Sequence, residues 1–103
     1  METYDVAVIG GGPAGLSAAT SASRLYVETI LFEEHEGIGL PWHCAGIVSS
    51  GRLKPLRIEG FDKTVLAEFD TVDVYLSLRR AFAIRSSIPQ LVLDRVSFDN
   101  LLA

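Results

Sequence analysis

A chain of 103 residues, 49% hydrophobic and 21% charged, has the size and composition of one small globular domain, which argues against disorder. The formal net charge of -4 argues against a nucleic-acid partner, the single cysteine rules out an internal disulfide, and two scattered histidines do not make a metal site. No apolar run approaches the ~20 residues of a bilayer span, and the N-terminus has neither a basic flank nor a cleavable apolar stretch, so the expected location is the cytoplasm.

In chain order, Tyr4 to Ile9 reads as a strand. Its nearly continuous apolar run predicts burial on both faces, as in a parallel sheet, with Asp5 as the polar exception. A glycine-rich turn, Gly10-Gly11-Gly12-Pro13-Ala14-Gly15, follows at once. Pro13 suits the first helical position, and Ala14, Ala18, Ala19 and Ala22 carry the helix to about Leu25. Gly15 and Ala19 share a face that can approach a sheet closely. Val27 to Phe32 is a second strand, and Glu33 falls at its carboxyl end. Residues 1–34 thus read as one strand–helix–strand unit. Tyr26, in the turn before the second strand, occupies a position that favours glycine; a left-handed tyrosine there costs on the order of 1 kcal/mol.

Residues 35–60 are punctuated by glycine and proline and read as a long loop with a short helical turn near Ser49 to Leu53. Over residues 61–93 the pattern predicts a small antiparallel meander. Its strands are Thr64 to Phe69 and Val72 to Leu78, joined by a tight Asp70-Thr71 turn, with Ala81 to Ile84 adding to them and Val92-Leu93 briefly extended. A helix begins near Asp94 or Ser97, with Val96, Phe98, Leu101 and Leu102 as its apolar positions. It ends with no glycine cap and no basic last turn. The expected fold is therefore an α/β, Rossmann-like βαβ unit with a small meander, forming the amino-terminal part of a larger domain. The unfinished helix and an unpaired sheet edge would favour self-association or a complementing chain.

The chemistry-bearing pattern is G-x-G-x-x-G at Gly10, Gly12 and Gly15, set between a strand and a helix. Such a turn aims helix N-terminal amides at the pyrophosphate of a dinucleotide, FAD or NAD. Glu33 lies 23 positions beyond Gly10 (33 minus 10), near the roughly 20-residue offset at which a carboxylate meets the ribose hydroxyls. Its charge also disfavours a 2′-phosphate. Glu34 and Glu36 read as solvated charge, as do the pairs Asp62-Lys63 and Arg79-Arg80, and His43 as a loop surface residue. Cys44 reads from its residue type as a buried small apolar side chain, in competition with a redox-active or substrate-facing thiol. Arg95 could reach a phosphate or ribose, or simply be solvated.

These residues resemble the geranylgeranyl reductase family of FAD-dependent oxidoreductases, within the para-hydroxybenzoate hydroxylase-like flavoproteins. The likeness runs through Tyr4-Asp5-Val6, Gly10 to Gly15, Phe32-Glu33-Glu34-His35, Ile38-Gly39, Pro41-Trp42-His43-Cys44-Ala45-Gly46 and Arg95-Val96-Ser97-Phe98-Asp99. It implies FAD as cofactor, with Gly10, Gly12, Pro13, Ala14 and Gly15 at the pyrophosphate, Glu33 at the adenosine ribose, and Ala45, Gly46 and Arg95 as further contacts. It also implies that Cys44 borders the isoalloxazine ring as a candidate catalytic residue, which reverses its reading as a buried apolar side chain. The implied substrate is an isoprenoid lipid whose C=C bonds are reduced, with peripheral contact at a membrane. Tyr26 departs from the family's usual glycine, and family members are several times longer than this chain. A free-standing FAD- or NAD-binding module and a non-catalytic interaction subunit are the alternative expectations.

Overall fold

The computed structural model describes residues 1–103. Its elements are β1 (Val6–Ile9), α1 (Pro13–Arg24), β2 (Thr29–Phe32), β3 (Ile47–Ser49), α2 (Ser50–Leu53), β4 (Val65–Leu76), β5 (Arg79–Leu93) and α3 (Arg95–Leu102). Short 3-10 turns occupy Lys54–Leu56 and Phe61–Thr64. The chain divides into two compact units, one of Met1–Cys44 with Arg95–Ala103 and one of Ala45–Asp94.

In the first unit β1 and β2 run parallel, Val6 opposite Thr29 and Ile9 opposite Phe32, with α1 packed on both strands and α3 on α1. Asp5 explains itself: its carboxylate accepts the Glu28 N–H at 3.2 Å while its own N–H donates to the Glu28 carbonyl at 2.9 Å, closing the start of the sheet. The expectation of a strand buried on both faces is corrected, since Val6, Ala7 and Ile9 are exposed, Ile9 by 80%. Parallel strands are buried by flanking strands and by helices on both faces. This sheet is two strands wide, so each strand keeps an unpaired edge.

The end of α1 follows the Schellman pattern. Val27 N–H donates to the Ala22 carbonyl at 3.2 Å and Tyr26 N–H to the Ser23 carbonyl at 2.9 Å. Tyr26 occupies the left-handed position of that motif, at φ 59°, and is 97% exposed. Its ring therefore offsets the backbone cost with almost no burial. Tyr26→Gly is expected to stabilise the chain by about 1 kcal/mol, read as a higher urea midpoint at unchanged slope. A lower midpoint would show that the tyrosine contributes more than its backbone costs.

In the second unit β3, β5 and β4 form an antiparallel sheet in that order, around the buried side chains of Phe61, Leu91 and Leu93. Three expectations change here. First, β3 occupies residues read as loop, while the helical turn after it forms as expected, as α2. Second, the predicted Asp70-Thr71 turn is instead an irregularity within one long strand. The partners jump from Phe69 opposite Gln90 to Thr71 opposite Arg85, because Pro89 has no N–H to give the ladder and Ser86 binds Ile88 locally. Third, the true reversal is at Ser77 and Leu78, with φ 47° and 65°, between Leu76 and Arg79. Both residues take positive φ, as in a type I′ hairpin turn, without the Asn-Gly chemistry that usually announces one. The sheet is thus a long hairpin with β3 added across β5 rather than a sequential meander.

Candidate functional site

The glycine turn is built by three different constraints. Gly10 sits at φ 102°, which carries the chain off β1 while its N–H donates to the Phe32 carbonyl at 2.7 Å. At Gly15 a Cβ would collide with the Gly10 carbonyl oxygen, so α1 can begin this close to β1 only with no side chain there. Gly12, the helix N-cap, is different: its backbone is ordinary extended geometry (φ -77°, ψ 178°), and a Cβ there would meet nothing within 4 Å. Pro13 at the first helical position has no N–H to offer, so the amides of Ala14 and Gly15 head the helix. The turn thus keeps open space at the positive end of a helix dipole, the cradle a diphosphate needs.

Glu33 reaches back across the two strand ends to this turn. Its Oε2 accepts the Gly11 N–H at 2.6 Å, and its Oε1 accepts the His35 N–H at 3.0 Å and lies 2.7 Å from His35 Nδ1. The His35 and Gly11 backbone N–H groups, helped by the His35 ring, lower the Glu33 pKa to about 2. A carboxylate has about four acceptor sites, so these three bonds leave about one for a ribose hydroxyl.

Gly12 and Glu33 line a cleft of about 240 Å³ within the first unit, together with Trp42, Cys44, Arg95 and Asp99. The loop that carries Cys44 is folded by its own side chains. Trp42 Nε1 donates to the Cys44 carbonyl at 2.7 Å, and His43 Nδ1 lies 2.7 Å from the Pro41 carbonyl oxygen. Cys44 is exposed, which corrects its reading as a buried apolar residue. Arg95 opens α3 and is gripped by Asp99, Nε to Oδ1 at 2.9 Å and Nη2 to Oδ2 at 3.0 Å; this pairing raises the pKa of the guanidinium. The nearby Cys44 side chain adds to the rise.

Of the residues singled out from sequence, Gly12, Glu33, Cys44 and Arg95 line the cleft, and Gly10, Pro13, Ala14 and Gly15 build the turn at its rim. Ala45 and Gly46 lie in the second unit, where the buried Gly46 accepts the Leu93 N–H at 2.9 Å. Sequence reasoning gave no role to His35 or Asp99. The Arg95-Asp99 spacing of four on a predicted helix was the signal available for the second; for His35 there was none, because its bond to Glu33 depends on how the loop turns after β2.

The FAD dependent oxidoreductase family matches residues 5–55. A digeranylgeranylglycerophospholipid reductase from Thermoplasma volcanium is 35% identical over 108 residues, covering 100% of this chain and 27% of that protein. Digeranylgeranylglycerophospholipid reductase 2 from Methanopyrus kandleri is 31% identical over 99 residues, covering 96% of this chain and 24% of its own length. The crystal structure of a geranylgeranyl bacteriochlorophyll reductase-like protein from Thermoplasma acidophilum matches at TM-score 0.84 and 34% identity, covering 100% of this chain and 27% of that one. The chain thus spans about a quarter of the length of these relatives. The resemblance, the Rossmann-like α/β fold and FAD as cofactor agree with these matches.

Proposed function

We propose, from the premise that residues 5–55 match the FAD dependent oxidoreductase family and that the chain is similar to the N-terminal portion of geranylgeranyl reductase-like proteins, that it is the FAD-binding segment of an enzyme reducing isoprenoid C=C bonds. The observation that carries this reading is the 2.6 Å bond from Gly11 N–H to Glu33 Oε2, which sets a carboxylate beside an open helix N-terminus, the pairing that ribose and diphosphate recognition needs. In this reading the Ala14 and Gly15 amides receive the diphosphate, and Gly12 leaves its approach clear. Glu33 takes the adenosine ribose, Arg95 adds a fixed cation, and the Cys44 loop bounds the reacting end of the cleft. Reduced FAD supplies hydride chemistry when bound, and the protein contributes binding, orientation and electrostatics. The proton for the alkene comes from solvent or a nearby acid. The isoprenoid substrate and peripheral contact with a membrane are part of the proposal; no helix here is long and apolar enough to cross a bilayer.

A non-catalytic role through self-association or a complementing chain is the second reading, favoured by the two-stranded sheet with exposed Ile9 and Phe32. The 103-residue chain is expected to bind FAD without turning over. Flavin absorbance of the purified protein and its melting temperature with added FAD test the first part, and alkene reduction with dithionite as electron source tests the second. A colourless protein that gains no thermal stability from FAD would sink the cofactor assignment. Tight NAD binding in place of FAD would point to a nicotinamide module, and a monodisperse monomer in solution scattering would count against the interaction reading.

A further inference from the structure

Arg95 stands where helix electrostatics disfavour it. It is the first residue of α3, whose first turn contains no acid, and a cation there faces the positive end of the helix dipole. Its (i, i+4) partner Asp99 follows it, the less favourable order for a helical ion pair. Helix stability therefore does not account for the pair. Asp99 is 3% exposed and uses both carboxylate oxygens on one edge of the guanidinium, through Nε and Nη2. A planar fork held along one edge has its other edge fixed in direction. The Cys44 side chain stands close enough to Arg95 to help raise its pKa, and all three residues line the same cleft. The loop bearing Cys44 is tied to the same helix, because Asn100 Nδ2 donates to the Ile38 carbonyl at 3.1 Å and to the Val96 carbonyl at 2.8 Å.

We infer that Asp99 is a positioning residue: by gripping one edge of Arg95 it aims the other edge at the Cys44 sulfur and the cleft. Both Asp99 carboxylate oxygens are taken up by Arg95, so its effect passes through the guanidinium. The inference uses the FAD reading only to say what the cleft holds, and the first arm of its test needs no cofactor.

Cys44 is the chain's only cysteine, so alkylation by iodoacetamide reports on it alone. In the 103-residue chain at neutral pH, Asp99→Asn is expected to slow alkylation by about threefold or more, because the reacting sulfur loses its aimed donor. Arg95→Lys keeps the charge but lacks the fork, and is expected to slow it similarly. In the second arm, calorimetry with FAD is expected to show about a tenfold weaker dissociation constant for Asp99→Asn. An Asp99→Asn protein that melts as wild type and alkylates at the wild-type rate or faster overturns the inference. Should that variant fail to fold, Arg95→Lys decides: wild-type alkylation there overturns it equally. A wild-type chain that binds no FAD removes the cofactor reading while leaving the alkylation arm intact.

Discussion

Replacing Gly12 with alanine is expected to leave stability within about 0.5 kcal/mol of wild type while weakening FAD binding by about 100-fold. The backbone at Gly12 is one any residue adopts, and the added methyl would meet no protein atom within 4 Å. It would instead fill the space through which a diphosphate reaches the α1 amides. Losing two charge-assisted hydrogen bonds at roughly 1.5 kcal/mol each corresponds to that factor. Gly15→Ala should behave in the opposite way. Its methyl collides with the Gly10 carbonyl oxygen, a backbone atom held in place because Gly10 N–H bonds Phe32 at 2.7 Å, so α1 must shift off the sheet. A destabilisation of about 3 kcal/mol is expected. Urea unfolding and FAD calorimetry on both variants separate the two roles. Equal loss of stability in both would mean that Gly12 is structural, and unchanged FAD affinity in Gly12→Ala would mean that the open space at the helix end receives no diphosphate.

The second large effect is at Glu33. Glu33→Gln removes the charge and puts an amide that needs acceptors among the Gly11 and His35 N–H donors, so FAD affinity is expected to fall at least about tenfold. The same carboxylate makes stability depend on pH with a definite sign. Its folded pKa of about 2 lies below the roughly 4.3 of an unfolded glutamate. Its contribution is therefore fully present above about pH 4.3 and is lost as pH falls toward about 2. Thermal melts from pH 6 to pH 2 should show the wild-type curve converging on that of Glu33→Gln across that window. Parallel curves throughout would mean that the Gly11 and His35 bonds do not form in solution.

The parts of the fold that were legible in the sequence are those fixed by neighbours along the chain. The strand, turn and helix from Val6 to Arg24 follow from an apolar run, the Gly10 to Gly15 spacing and Pro13 at the helix start. The left-handed backbone at Tyr26 was foreseeable because helix ends have a small repertoire. The hairpin was misread because its two-residue reversal uses Ser77 and Leu78, while Asp70-Thr71, a pair with good turn chemistry, sits inside a strand. There the ladder partners, and Pro89 on the opposite strand, override local preference. Burial of β1 was overestimated because an apolar strand carries no record of how many neighbours this chain supplies.

By itself the sequence determined the elements of the proposed dinucleotide half-site: which glycines turn the chain, which helix follows them, and which carboxylate follows the second strand. These are short-range matters, set by backbone sterics and by offsets of about twenty residues. Only the tertiary structure decided that Arg95, far along the chain, stands with Glu33 and Cys44 on one cleft, that Cys44 is exposed rather than buried, and that Asp99 holds the guanidinium. The physical reason is that a side chain's surroundings depend on residues distant in sequence. The return of α3 to the first unit, after the fifty residues of Ala45–Asp94, is a packing outcome with no local signature.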